Sequence, residues 1–364
     1  MLSERALARI STEAISRNCA HLRSRLAGGA ELCAVVKADG YGHGALESAR
    51  AARDGGAAWL AVATAGEAVA LRQAGIDGRV LVMGALTAEE AHALVQRGVD
   101  LVAWTPGFAR SLSSDARVHV KLDTGMGRLG TRDPEEARAV AAEVAGRHDL
   151  ELVGLMTHFA TADERGDDHF PVQLARFTEF VEGMRTEHDG LVCHAANSAA
   201  TLRDTASHFD MVRCGVGIYG LDPFQANPAD EGLEPALSLE SWVAAVKRFE
   251  PGDSAGYGRR WVATESTWVA TVPVGYGDGW RRGLTNDCDV LIRGRRHPLV
   301  GAVSMDNVTV DLGADTDVEV GDAAVLIGEQ DGERILCEEV AHRLHTINYE
   351  VTCGLTQRVP REYS

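Results

Sequence analysis

Residues 32–44 read LCAVVKADGYGHG. Five apolar positions, Leu32 to Val36, run into Lys37 and then into a turn where Gly40, Gly42 and Gly44 alternate with other residues. A short apolar run closed by glycines reads as a strand that ends at a lysine. The same unit recurs at Trp59–Ala63, Val80–Met83, Leu101–Trp104, Val118–Leu122, Leu152–Met156, Leu191–Cys193 and Met211–Tyr219, giving eight candidate strands. Between most of them lie alanine-rich segments with helical spacing, such as Ala65–Gln73, Ala88–Gln96 and Pro134–Glu143, the last with Asp133 as N-cap and Pro134 at the first helical position. Eight strands alternating with helices predict an α/β fold built on a (β/α)8 TIM-type barrel, with a doubly wound sheet as the competing arrangement. An earlier helix carries Ile15, Cys19, Leu22 and Leu26 on one face.

After the eighth run the chain enters GLDPFQANPADEGLEPAL (220–237), where Pro223, Pro228 and Pro235 mark a boundary. Beyond it the runs Trp242–Val246, Thr267–Val274, Val290–Arg293, Val308–Leu312 and Ala323–Ile327 follow with one helix near Glu338–Leu344, the pattern of a mostly β domain. The expected organisation is a barrel over residues 1–235 and a β-rich domain over 236–364, with residues 1–10 candidates to pair with the second domain.

Composition narrows the function classes. Against 36 Lys and Arg stand 53 Asp and Glu, a formal charge of -17 with no basic run, which disfavours nucleic acid as a partner. No stretch of about 18 apolar residues and no apolar leader occurs, so neither membrane insertion nor export is expected. Seven cysteines without a C-x-x-C pair signal neither a disulfide framework nor a zinc site, and a reducing cytoplasm is the expected location.

In a barrel, reactive groups gather where the C-terminal ends of the strands open onto one mouth. The predicted strand ends deliver Lys37, then Lys121, Asp123 and Arg128 in KLDTGMGRLG, His158 in GLMTHFA, Asn197 and Ser198 in CHAANSA, and Arg213 in MVRCGVGIYG. Each has an ordinary alternative: a rim charge for the lysines and arginines, a core histidine for His158, a helix cap for Ser198. Their convergence favours a site. Gly125, Gly127 and Gly130 match G-x-G-x-x-G, but no helix opens inside the match and Arg128 sits within it, so a dinucleotide reading is set aside.

These motifs, with SAGYGRRW (254–261), VPVGYGDGW (272–280), VGAVSMDN (300–307) and NYEVTCG (348–354), resemble the alanine racemase family in content and order. The resemblance implies a pyridoxal 5'-phosphate enzyme that interconverts L-alanine and D-alanine, supplies D-alanine for peptidoglycan, and works as a homodimer with shared active sites. It makes Lys37 the lysine that holds the cofactor as a Schiff base and Arg213 the partner of the pyridine nitrogen. Tyr41, Ser198, Gly215, Ile218 and Tyr349 would hold the phosphate, with His158 and Asn197 also on the cofactor side. Arg128 would grip the substrate carboxylate, beside Lys121, which in the family can carry a carbamate. The partner subunit would supply Tyr257 as second catalytic base and Met305 as a backbone contact, while Asp163, Tyr276 and Arg282 would line the entrance. The sequence departs from the family at Ala302, where arginine is common, which puts charge gating of the entrance in doubt.

The chemistry explains the residue types. An α-proton is too weakly acidic to leave at neutral pH unless the developing negative charge is delocalised, and racemisation then needs a base on each face. Arginine cannot give up its proton, so at the ring nitrogen it donates a hydrogen bond and no more. A racemase for another small amino acid such as serine, a barrel decarboxylase using the same cofactor, and a non-catalytic carrier of it are the alternatives. The decarboxylase would want a carboxylate at the ring nitrogen, and the carrier would lack the second domain.

Overall fold

The computed structural model describes residues 4–364. Its chain divides into two units, one formed by Ile15–Ile218 with Glu231–Leu233, the other by the residues up to Ala14 together with Tyr219–Asp230 and Glu234–Ser364.

The first unit is the barrel. After β1 (Leu7–Ile10) and α1 (Thr12–Ser24), which leads into this unit, the chain alternates through β2 (Glu31–Val35), α2 (Lys37–Tyr41), α3 (Ala45–Asp54), β3 (Trp59–Val62), α4 (Ala65–Gln73), β4 (Arg79–Val82), α5 (Ala88–Val95) and β5 (Leu101–Ala103). It continues through α6 (Pro106–Ser111), β6 (Ala116–Lys121), α7 (Pro134–Ala145), β7 (Leu150–Met156), α8 (His169–Arg185), β8 (Val192–His194), α9 (Ser198–Arg203) and β9 (Met211–Cys214). Strands β2 to β9 pair in parallel in the order β4-β3-β2-β9-β8-β7-β6-β5. A single parallel bridge, Leu81 to Asp100, joins β4 to β5 and closes the ring. The barrel expectation holds and the doubly wound alternative falls, because first strand meets last at Cys33 to Arg213. Both faces of its strands are buried, as an all-parallel sheet requires: Leu32, Leu60, Leu81, Val118, Leu155 and Val212 are all buried.

Local sequence sets the helix starts. Thr64 and Thr87 form reciprocal capping boxes with Glu67 and Glu90, and Asp133 caps α7 ahead of Pro134. The eighth run, read as one strand to Tyr219, ends at Cys214 and turns into a 3-10 segment, Val216–Tyr219.

The second unit is an antiparallel system with one parallel edge pairing. Its main strands are β10 (Leu237–Trp242), β11 (Ala245–Phe249), β12 (Ser254–Ala255), β13 (Trp261–Val262), β14 (Thr267–Val272), β15 (Asp289–Ile292), β16 (Arg295–Val300), β17 (Val308–Gly313), β18 (Ala323–Gln330), β19 (Glu333–Ile335) and β20 (Arg361–Tyr363), with α10 (Cys337–Arg343) and α11 (Asn348–Cys353). Strand β1 pairs antiparallel with β10, Leu7 opposite Glu240, and parallel with β20. The run Trp242–Val246 is divided between β10 and β11, since the chain changes partner at Val243 and Ala244. Among the described residues no helix is long and apolar enough to cross a membrane.

Candidate active site

The chain leaves β2 at Lys37 in an uncommon conformation. Ala38, Asp39 and Gly40 have φ of 52°, 52° and 60°, and Tyr41 follows at 53°, a left-handed turn of four residues of which only one is glycine. Each non-glycine residue there costs roughly 1–2 kcal/mol, so the surroundings must enforce it. They do: Glu67 accepts the Ala38 N–H at 2.6 Å, Asp39 Oδ1 accepts the Ala45 N–H at 3.0 Å, and the Gly42 N–H closes on the Ala38 carbonyl at 3.0 Å. The result presents Lys37 at the strand end and turns the Tyr41 ring inward, where it is buried.

The Tyr41 hydroxyl lies against Gly215, so close that a Cβ on that glycine would collide with it. At the same turn the N–H groups of Gly215 and Gly217 converge on Ser198 Oγ at 3.1 and 3.2 Å. Two backbone donors and two hydroxyls at one point form a cradle for an anionic oxygen. Asn197 caps α9, its Oδ1 accepting the Ala200 N–H at 2.9 Å. At Ile218 the N–H bonds the Gly215 carbonyl at 3.0 Å and the carbonyl accepts from Asn18 at 3.2 Å.

Arg213, on β9, is buried in the barrel. Its Nη1 donates to His194 Nδ1 at 2.8 Å, and Nη2 donates to the carbonyls of Thr157 and Ala195 at 2.8 and 3.1 Å and to His158 Nδ1 at 3.2 Å. Because a guanidinium only donates, both histidines accept through Nδ1 and carry their protons on Nε2. His194 Nε2 therefore donates to His119 Nδ1 at 2.9 Å, extending the chain toward the barrel interior. Burial, followed by the positive field of Arg213, holds His158 and His194 well below the usual histidine range. The charge of the network thus resides on Arg213, itself pushed down to about 10 by burial yet cationic at neutral pH. No protein acceptor among the described residues takes its Nε–H.

Lys121 ends β6 and is buried. Desolvation pulls it down to about 8, helped by the charges of Arg213, Arg128 and Lys37, which brings four cations of the sequence expectation into one field. An ordinary Lys121–Asp123 ion pair does not form. The Asp123 carboxylate instead accepts the N–H groups of Gly125, Met126 and Gly127 at 2.7–3.1 Å, with Arg132 at 3.6 Å. Arg128 follows on this loop, exposed and with no carboxylate partner among the described residues. Asp163 lies in the β7–α8 loop, whose carbonyls at Thr161, Ala162 and Glu164 are gathered by Arg203 Nη1 at 3.1–3.2 Å.

The remaining expected residues lie in the second unit. Tyr257 stands 72% exposed and Met305 51% exposed, unusual values for such side chains. Their loops interlock with that of Tyr276: the Tyr276 N–H bonds the Ser304 carbonyl at 3.0 Å, the Gly277 N–H bonds the Met305 carbonyl at 2.9 Å, and Gly256 packs against Ala302. Arg282 opens a 3-10 turn after this segment, and Tyr349 sits on α11.

The sequence reading did not single out Glu67, His119, His194 or Gln173. His194 stood inside HAANSAA, and Gln173 showed as a polar residue in the stripe of Phe170, Phe177 and Phe180.

Comparison with known proteins matches the chain over nearly its whole length. The family description "Alanine racemase, N-terminal domain" matches residues 10–223, and "Alanine racemase, C-terminal domain" matches residues 236–363. Alanine racemase 1 of Bacillus subtilis is 41% identical over 98% of this chain and 92% of its own. The crystal structure of alanine racemase from E. faecalis superposes with a TM-score of 0.93 at 37% identity, covering 99% of this chain and 98% of that one. That of alanine racemase from Bacillus anthracis with bound L-Ala-P gives 0.92 at 36% identity over 100% and 96%. With both halves matched and the relatives aligned nearly end to end, the chain belongs to the alanine racemase family.

Proposed function

We propose that the chain interconverts L- and D-alanine with pyridoxal 5'-phosphate and provides D-alanine for peptidoglycan. The observation that carries the cofactor assignment is the turn at Gly215 and Gly217, where both N–H groups meet the Ser198 hydroxyl and the Tyr41 hydroxyl occupies the space a Cβ on Gly215 would need. The chemistry of Arg213 fits as well, a fixed cation whose Nε–H no acceptor among the described residues takes. Bound there, the cofactor supplies the electron sink that stabilises the charge left by a departing α-proton.

The chain's own residues do the rest. Lys37 binds the cofactor and holds or releases a proton at Nζ on one face of the substrate α-carbon, and the Tyr257 hydroxyl does so on the other. Arg213, locked by His194, His158 and two carbonyls, donates to the ring nitrogen without protonating it. Tyr41, Ser198, Gly215, Ile218 and Tyr349 hold the phosphate, with Asn197 beside them. The guanidinium of Arg128 takes the substrate carboxylate as a two-point fork. Lys121, pulled toward neutrality, is the candidate for a carbamate that would orient Arg128.

Tyr257 and Met305 are exposed on their own chain, and a second copy supplying them over the barrel mouth completes the site as a homodimer. Asp163, Tyr276 and Arg282 then flank the entrance, with His158 in support of Tyr257. The boundary between barrel and β-rich domain is placed at 235/236, and the location is cytoplasmic. Incubation of purified protein with a panel of L-amino acids tests the reading: D-alanine should form, and form far faster than D-serine. Hydride reduction should fix the pyridoxyl group on Lys37; label on another lysine, or no D-alanine, contradicts it.

A further inference from the structure

Three side chains of α8 reach the loop after β6. His169 Nε2 donates to the Gly125 carbonyl at 3.2 Å, Gln173 Nε2 to Thr124 Oγ1 at 3.2 Å, and Arg176 Nη1 to the Thr124 carbonyl at 3.0 Å. Offsets of zero, four and seven residues put all three on one helix face. Gln173 has no exposed surface and lies in an otherwise apolar stripe, so each of its amide groups must find a partner. It finds them in two loops at once: besides Thr124, its Nε2 donates to the His158 carbonyl at 3.0 Å, and its Oε1 accepts the Ala160 N–H at 2.8 Å. Thr124 is tied in turn to Thr157, hydroxyl to hydroxyl at 2.8 Å.

The opposite side of the same loop is held by the Asp123 carboxylate through the N–H groups of residues 125, 126 and 127. Gly125 between them has φ 147° and no room for a Cβ against His169 and Gln173. Arg128 follows directly, and with no carboxylate partner among the described residues its direction depends on where this pinned backbone points it. A glutamine needed only to fill space could be replaced by methionine of nearly equal size. A glutamine that fixes the carbonyl of His158 and the hydroxyl of Thr124 together could not.

We infer that Gln173, flanked by His169 and Arg176, is a positioning residue for racemisation: it sets the pose of Arg128 toward the substrate carboxylate and the pose of His158 against Arg213. This rests on the reading of Arg128 given above. Binding of the carboxylate and alignment of the cofactor network are then fixed by a single buried amide.

The test is steady-state kinetics with L-alanine on cofactor-saturated enzyme. Gln173→Met should raise KM about ten-fold with a much smaller fall in kcat, a misplacement effect on ground-state grip. Arg176→Met, at an exposed position where folding is not at stake, should raise KM about three-fold, and Arg176→Lys, which keeps a donor for Thr124, should restore most of it. In an Arg128→Lys background, itself raised in KM, Gln173→Met should add nothing further. If Gln173→Met and Arg176→Met lower only the melting temperature, or multiply the Arg128→Lys effect in full, the positioning role is overturned while the reading of Arg128 stands. If Arg128→Lys leaves KM unchanged, that reading fails and the inference with it. Should Gln173→Met not fold, the Arg176 pair decides.

Discussion

At the residue scale the site is built from groups whose neighbours remove their usual freedom. Arg213 dictates the tautomers of His158 and His194 because it can only donate, and burial keeps both rings neutral. The cradle works by the opposite device, the absence of a side chain. Gly215→Ala would put a methyl group into the Tyr41 hydroxyl, so cofactor affinity, followed by absorbance titration, should fall about ten-fold or more, as for a steric clash worth over 1.4 kcal/mol. Affinity equal to the parent enzyme would mean the phosphate binds elsewhere. The sequence exposed Lys37, Arg213 and Ser198 as strand-end groups. It hid Gln173 and His119, because a polar residue in an apolar stripe looks like a lapse in periodicity until its partners are seen.

At the scale of elements, the eight barrel strands were legible because each is a short apolar run between turn residues. Strand β16 was not: RRHPLV opens with two arginines, and its Pro298 cannot donate to the ladder, so the run lacks both signals of a strand. The left-handed turn of α2 was hidden for a different reason, since periodicity reports which side chains are apolar and not the sign of φ. Only the alternating glycines 40, 42 and 44 hinted at it. Its strain is measurable: Ala38→Gly should raise stability by about 0.5–1 kcal/mol, the left-handed cost removed less the extra entropy of the unfolded chain, while kcat falls as Lys37 loosens. Lower stability in a denaturant midpoint would show that the turn is not strained.

At the scale of the whole molecule, burial of neutral histidines sets the acid limit. His119 is pulled down to about 3, chiefly by burial, and His158 and His194 lie well below the usual 6.5. The unfolded chain takes up protons at these rings below pH 6.5 and the native chain does not, so their contribution to stability is constant above that pH and falls beneath it. At pH 5 the His119 ring should cost about 2 kcal/mol, with His158 and His194 acting in the same direction, and His119→Gln should remove its share of the slope between pH 6.5 and 5 in urea midpoints. A slope unchanged by the substitution would place the acid sensitivity in the carboxylates instead.

The sequence motifs of both halves were readable, yet no periodicity could say that Tyr257 and Met305 stand exposed on their own chain. That exposure leads to the central claim, one site completed by two subunits, and subunit complementation tests it most directly. Lys37→Ala and Tyr257→Phe enzymes, each inactive alone, are mixed and allowed to exchange subunits. Random pairing makes half the dimers hybrid, each with one intact site, so about a quarter of the parent racemase activity should return. Verified exchange with no recovered activity would contradict a shared site.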